Sequence, residues 1–279
     1  MSKKMKFSSD ISPIKSSAII LALGLSGGMA FAAATANDTA SNYNGPGWSA
    51  SPSNLGSGFG AWNIIISGAG NPPYVGTYLD SSSTVVSGGY SWGTYANSGG
   101  VSGTENISIT RPFTTDGSSS SLFNQTFSYA LSSAGVGPGQ GLLSGSVGNA
   151  FSFAYNGTLA GDNMLLTVDG GTPITTPVSF AELGSGIVVS LTVSGPLNSV
   201  AEGYTFTVSP YAGGSPLYST SGTFDSSSFN TSSFNYLDQN TTGNGYFNNL
   251  NITSAPEPTT LALAGLGGLA TLVAARRRK

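Results

Sequence analysis

Ile187-Val188-Val189-Ser190-Leu191-Thr192-Val193 is the stretch that decides the fold. Successive side chains of a strand point to opposite faces, so Ile187, Val189, Leu191 and Val193 form one apolar row with a more polar row behind it. The same alternation separates Phe123, Gln125, Phe127 and Tyr129 from Asn124, Thr126 and Ser128, and Tyr204, Phe206 and Val208 from Thr205 and Thr207. Strands with one apolar face belong to antiparallel sheets packed face to face. Working outward, further strands are expected at residues 62–66, 74–79, 90–95, 106–110, 122–131, 142–147, 150–155, 164–168, 204–209, 217–224, 228–236 and 246–253, nearly all ending at Gly, Pro, Asn or Ser. The body contains no amphipathic segment of helical period and length. The expected fold is therefore all-β, an antiparallel β-sandwich.

Charge narrows the function. Between residues 37 and 255 the one basic residue, Arg111, stands against ten acidic ones, a net charge of −9. Phosphate binding needs Lys and Arg at the contact surface, so nucleic acid is excluded as a partner. Cysteine is absent, so the core has to hold the fold without disulfides. A body of about 220 residues suffices for a single all-β domain.

The chain has no His and no Cys, and the body has no Lys, which removes the usual general base, imidazole ligand, thiol nucleophile and Schiff-base amine. Without such a partner a serine hydroxyl has no base. The remaining catalytic option is a pair of carboxylates, and Glu105, Glu182 and Glu202 each stand alone beside a turn signal. The expectation is that the protein is not an enzyme. For a metal, Asp238-Gln239-Asn240-Thr241-Thr242-Gly243 offers side-chain oxygens at Asp238 and Asn240 that suit calcium, against the plainer reading of a hairpin turn. Flat aromatic faces stack on sugar rings, and of the aromatic residues Trp92 and Tyr95, set among Gly and Ser, are the expected carbohydrate contacts.

Both ends read as targeting segments. Lys3, Lys4, Lys6 and Lys15, the apolar residues 18–25 and the small-residue sites Ala30-Phe31-Ala32 or Ala34-Thr35-Ala36 make a secretory signal peptide, assigned to residues 1–36 with a helical apolar part. A flexible lead-in over 37–57 precedes the sandwich domain at 58–254. At the other end Pro256-Glu257-Pro258 is followed by an uncharged run over 259–275 and by Arg276-Arg277-Arg278-Lys279. That run is just long enough for one transmembrane helix, held by basic residues on the cytoplasmic side. A plain membrane anchor is the alternative reading of this end.

The tail over 255–279 resembles the PEP-CTERM sorting signal of exported bacterial proteins: triad, short span and basic cluster are present in that order. The resemblance implies an exosortase as partner and cutting near the triad, after transient anchoring in the inner membrane. Signal peptidase is the partner expected at the other end. Arg111-Pro112-Phe113, Asn124-Gln125-Thr126-Phe127-Ser128, Tyr204-Thr205-Phe206-Thr207-Val208 and the closing Gly245-Tyr246-Phe247-Asn248-Asn249-Leu250-Asn251-Ile252-Thr253 make residues 58–253 similar to concanavalin-like, laminin-G-like jelly rolls. That family resemblance implies that residues 62–66 pair with the last strand. The expected function is a non-enzymatic exported cell-surface or matrix protein associated with exopolysaccharide or biofilm. The alternatives are a lectin-like carbohydrate-binding module and a carbohydrate-active enzyme with a carboxylate pair.

Overall fold

Fifteen strands and two short helical turns make up the described part of the chain, which in this computed structural model comprises residues 34–45, 47–48, 54–68, 75–97, 105–114, 123–134, 141–156, 163–194, 201–225, 227, 229, 233–240 and 243–256. In chain order the strands are β1 (Ala34–Asp38), β2 (Asn63–Ser67), β3 (Val75–Asp80), β4 (Ser91–Ala96), β5 (Asn106–Pro112), β6 (Phe123–Ala134), β7 (Leu142–Val147), β8 (Phe151–Asn156), β9 (Asn163–Val168), β10 (Ile174–Ser179), β11 (Ile187–Ser194), β12 (Glu202–Pro210), β13 (Tyr218–Phe224), β14 (Ser233–Gln239) and β15 (Asn244–Pro256). A 3-10 turn spans Ala40–Tyr43 and helix α1 spans Phe180–Ser185. The apolar segment of the expected signal peptide and the expected C-terminal span lie outside the described residues.

Two antiparallel sheets result. One has the order β13-β12-β11-β6-β15-β4-β3, with β1 beside the second half of β15; the other has the order β10-β9-β8-β7-β14-β5-β2. The chain crosses repeatedly between them, as in a jelly roll. The row that decided the fold behaves as its period requires: in β11 Ile187, Val189, Leu191 and Val193 are all buried, while Val188, Ser190 and Thr192 are half-buried on the other face. Leu191 lies in register with Phe127 on β6 and Phe206 on β12, so the apolar row runs unbroken across three strands.

The two sheets are matched where tyrosine meets glycine. Tyr129 reaches from β6 so that its hydroxyl occupies the place of a Cβ at Gly145 on β7, and Tyr236 reaches from β14 to Gly245 on β15 in the opposite sense. Any side chain at either glycine would collide with a ring at the centre of the sandwich.

Three expectations change. The strand beside the last one is β1, through Asn37↔Asn251 and Asp38↔Leu250, whereas residues 63–67 form β2 and pair with β5 in the other sheet. Ala34-Thr35-Ala36, assigned to the signal peptide, lies within that strand. The described residues of the lead-in are not loose, since Asp38, Ala40, Tyr43 and Trp48 are buried. Their anchor is the body's single cation. Arg111 Nη2 donates to Asp38 Oδ2 at 2.9 Å, with neither side chain exposed, and to the Leu55 carbonyl at 2.7 Å. The Tyr43 hydroxyl donates to Asp38 Oδ2 at 2.7 Å, and Asn42 Nδ2 donates to Asp38 Oδ1 at 2.9 Å. Trp62 and Phe59 lie 4.7 and 5.4 Å from the guanidinium carbon, adding cation–π attraction. Burial nevertheless raises the Asp38 pKa and lowers that of Arg111, so for both groups desolvation outweighs attraction.

Candidate functional site

The tripeptide Gly-Thr-Tyr occurs at Gly76-Thr77-Tyr78 in β3 and again at Gly93-Thr94-Tyr95 in β4. The two copies pair antiparallel with each other: Gly76↔Tyr95, Thr77↔Thr94 and Tyr78↔Gly93. Each tyrosine therefore stands opposite the other strand's glycine. With no Cβ in the way, the ring lies down on the backbone. A Cβ at Gly76 would fall 2.5 to 2.9 Å from Tyr95 ring and hydroxyl atoms, and one at Gly93 would fall 2.7 to 2.9 Å from the Tyr78 ring. Glycine opposite an aromatic residue is stabilised by such coverage.

These two rings tile the outer face of the eight-stranded sheet near its β3 edge, with centroids 6.1 Å apart and planes inclined at 50°. Both are half-buried, so part of each remains open to solvent. Tyr246 of β15 stands edge-on to Tyr78 at 6.2 Å, and their hydroxyls are 3.2 Å apart. Burial raises the Tyr78 pKa, with the Tyr246 hydroxyl contact second, so Tyr78 remains a neutral donor and acceptor at physiological pH. Asn244, paired with Tyr95 across the β4–β15 ladder, donates from Nδ2 to the Tyr246 hydroxyl at 3.2 Å. The arrangement has flat apolar faces with an amide and hydroxyls beside them. It can stack on a ring and hydrogen-bond its substituents.

Of the two residues expected to contact sugar, Tyr95 is on this face and Trp92 is not. Trp92 is 0% exposed, with Trp62 at 4.9 Å, Phe247 at 5.2 Å and Tyr43 at 5.9 Å. Trp92 is a core residue, and the expectation is corrected on that ground. Tyr78, its place taken in the pair, carried a signal in the sequence: the repeated Gly-Thr-Tyr in adjacent strands.

The calcium candidates are not presented together. Asp238 points into the sandwich, fully buried, where Thr94 Oγ1 donates to its Oδ2 at 3.0 Å. Asn240, two residues on, turns the chain with φ 50°. Among the described residues no group of three or more His, Asp or Glu side chains is placed to hold a metal ion. The three glutamates lie on separate elements. Glu105 is buried just before β5 and Glu202 opens β12, while Glu182 closes a capping box on α1. There the Ser179 amide donates to Glu182 Oε2 at 2.6 Å, and the Glu182 amide donates to Ser179 Oγ at 3.3 Å.

The outer face of the seven-stranded sheet carries a concavity of about 230 Å³, lined chiefly by Ser108, Ser144, Ser146, Ser152, Asn235 and Leu237. Asn235 Nδ2 donates to Ser146 Oγ at 2.8 Å, which fixes the amide. Its polar lining is neutral and contains no aromatic face directed outward.

Fold and site together define an antiparallel jelly-roll sandwich with a tyrosine-tiled outer face. The chain carries a PEP-CTERM protein-sorting motif at residues 254–279, which marks it as an exported protein that passes through the membrane and is processed by an exosortase. Pro256 is the last described residue. Glu257, Pro258, Arg276, Arg277, Arg278 and Lys279 lie outside the described part, and no described helix is long and apolar enough to cross a membrane. No curated protein matches the chain. Solved structures similar to it include lectin II from Ulex europaeus, with 10% identity, 80% of this chain and 99% of that one covered, and a TM-score of 0.41. A lectin from Bauhinia forficata in complex with GalNAc has 10% identity, 79% and 98% coverage, and a TM-score of 0.38. The binding domain of botulinum neurotoxin serotype D/C has 8% identity, 69% and 44% coverage, and a TM-score of 0.40. The chain thus spans nearly the whole of each lectin but less than half of the toxin structure.

Proposed function

We propose that this chain is a non-enzymatic exported surface or matrix protein that binds neutral carbohydrate of the extracellular polysaccharide through Tyr78 and Tyr95. The observation that carries the reading is the pair of half-buried tyrosine rings that cover Gly76 and Gly93 on an outer sheet face, inclined at 50° to each other, with Asn244 beside them. Stacking on sugar rings needs flat accessible aromatic faces, and hydroxyl recognition needs neutral hydrogen-bonding groups nearby. A body of net charge −9 disfavours anionic polymers, which makes a neutral glycan the better match. The absence of His, Cys and body Lys supports a binding role over catalysis, as does the placement of Glu105, Glu182 and Glu202 on separate elements.

The test is binding of the purified processed protein to the producing cell's own extracellular polysaccharide, with and without a calcium chelator. Saturable binding that survives chelation is the expected result. Absence of binding in both conditions refutes the carbohydrate reading, and binding lost with the chelator would require calcium after all.

A further inference from the structure

Tyr78 and Tyr95 each turn a ring face to the sheet, yet the two rings do not share a plane. A Cβ at Gly93 would stand nearly equidistant from Cζ, Cε1 and Cε2 of Tyr78, at 2.7, 2.9 and 2.9 Å, a position over the ring face and not beside its edge. A Cβ at Gly76 would meet the hydroxyl, Cζ and Cε1 of Tyr95 at 2.5, 2.7 and 2.9 Å, again from the face. The second face of each half-buried ring is therefore turned away from the backbone. Neighbouring strands of a twisted sheet do not present their side chains in one plane. Here the ring planes are inclined at 50°, with centroids 6.1 Å apart.

The inclination is braced from behind. The Tyr78 hydroxyl donates to the Tyr246 hydroxyl at 3.2 Å, and Asn244 Nδ2 donates to the same Tyr246 oxygen at 3.2 Å. Tyr246 is itself 6% exposed and stands at 79° to Tyr78, so it supports that ring and offers no third face for stacking. Tyr95 is held by its seat on Gly76. The angle between the two faces is thus set before a ligand arrives, and a ligand that matches it loses nothing to rearrangement. Asp80 lies two residues after Tyr78 on the same face of β3, where its Oδ2 accepts from the Ser82 and Ser83 amides at 2.8 and 2.6 Å. That carboxylate beside the platform disfavours acidic sugars.

We propose that the platform selects a neutral glycan whose chain turns from one sugar to the next, and discriminates against ribbon-like chains whose successive sugar rings are coplanar. The inference rests on the carbohydrate reading and narrows its ligand. Centroids 6.1 Å apart lie under neighbouring sugars of one chain. A sugar stacks with its ring along the aromatic face, so two neighbours stacked together must be inclined to each other as the tyrosines are, at 50°. In a ribbon, the neighbour of a sugar stacked on Tyr78 stays in that sugar's plane, meets Tyr95 at 50° and forfeits the second stack. In a helically turning chain the linkage itself supplies the inclination. Losing one stack of two corresponds to about a tenfold weaker affinity.

The experiment is displacement of the purified processed protein from the producing cell's extracellular polysaccharide by glucose oligosaccharides of equal length that differ only in linkage. Laminari- and malto-oligosaccharides turn helically, and cello-oligosaccharides are ribbons. The turning chains are expected to displace the protein at about tenfold lower concentration than the ribbons. Equal displacement, or a preference for the ribbon, overturns the shape rule while leaving the carbohydrate reading intact. Displacement by none of the three overturns it as well, because stacking reads a ring face that every glucose residue presents. Failure to bind the polysaccharide at the outset sinks the carbohydrate reading and the inference with it. As a second arm, Tyr95→Ala, shown to melt as a folded protein, is expected to bring the turning chains down to the ribbon's level. A preference unchanged in that variant would overturn the proposal, since a merely structural tyrosine leaves the ratio where it was.

Discussion

Replacing Asp38 by Asn removes the negative charge from its buried ion pair with Arg111 and leaves nearly every atom in place. Arg111 would then be a buried cation whose Nη2 retains the Leu55 carbonyl but no carboxylate. Tyr43 and Asn42 would lose a charged acceptor at 2.7 and 2.9 Å. Stranding one partner of a buried pair costs about 3–5 kcal/mol. For a domain of this size each kcal/mol shifts the melting temperature by roughly 2–4 °C, so a drop of about 6–20 °C follows. Scanning calorimetry on the processed protein measures it. Because desolvation outweighs attraction for both groups, the double variant Asp38→Asn, Arg111→Met is predicted to recover most of the loss. A single variant melting within about 2 °C of the wild type would refute the view that Asp38 ties the N-terminal segment to the sandwich, a shift worth only about 1 kcal/mol.

Alkali is predicted to unfold the protein early. Burial pushes Tyr43 up to about 12 from 10.0 and raises Tyr129, Tyr155 and Tyr236 as well. The unfolded chain ionises first, so the stability these groups provide is intact below pH 10 and declines as pH rises through their folded values. Denaturant midpoints falling steadily above pH 10, together with late and cooperative tyrosinate absorbance, would show it; a flat midpoint to pH 12 would contradict it. Gly145→Ala and Gly245→Ala are each expected to cost about 1–3 kcal/mol or more, because the new methyl meets Tyr129 or Tyr236, and unchanged melting would show that the rings are not seated as described. Trp92→Phe should lower the melting temperature while leaving polysaccharide affinity unchanged, since Trp92 is enclosed; a loss of affinity with intact folding would restore it as a contact.

Period-two alternation made most of the sandwich readable, because strands such as β11 and β12 bury one face and the apolar pattern reports it. What it missed has particular causes. β1 reads Ala-Thr-Ala-Asn-Asp, with no large apolar row, and is held by its ladder to β15 and by a charge on another strand. β10 contains Pro177, which argues against a central strand and is tolerated because β10 lies at the sheet edge. Helix α1 did announce itself through Ser179 and Glu182 three residues apart, a capping box that a search for catalytic carboxylates passed over. The site was half legible. Trp92 and Tyr95 are three residues apart in one strand, so the same alternation that gave the fold already puts them on opposite faces. Tyr78 required knowing which strand pairs with β4 and in which register, and hydrophobic pattern alone does not supply that.

The most direct measurement is calorimetric titration of the producing cell's neutral polysaccharide into the wild type and Tyr95→Ala, with folding of both confirmed by their melting curves. Removing one stacked ring of the tyrosine platform is predicted to weaken binding about tenfold, roughly 1.4 kcal/mol. Equal affinities for the two proteins would contradict the account and place any carbohydrate contact elsewhere on the sandwich.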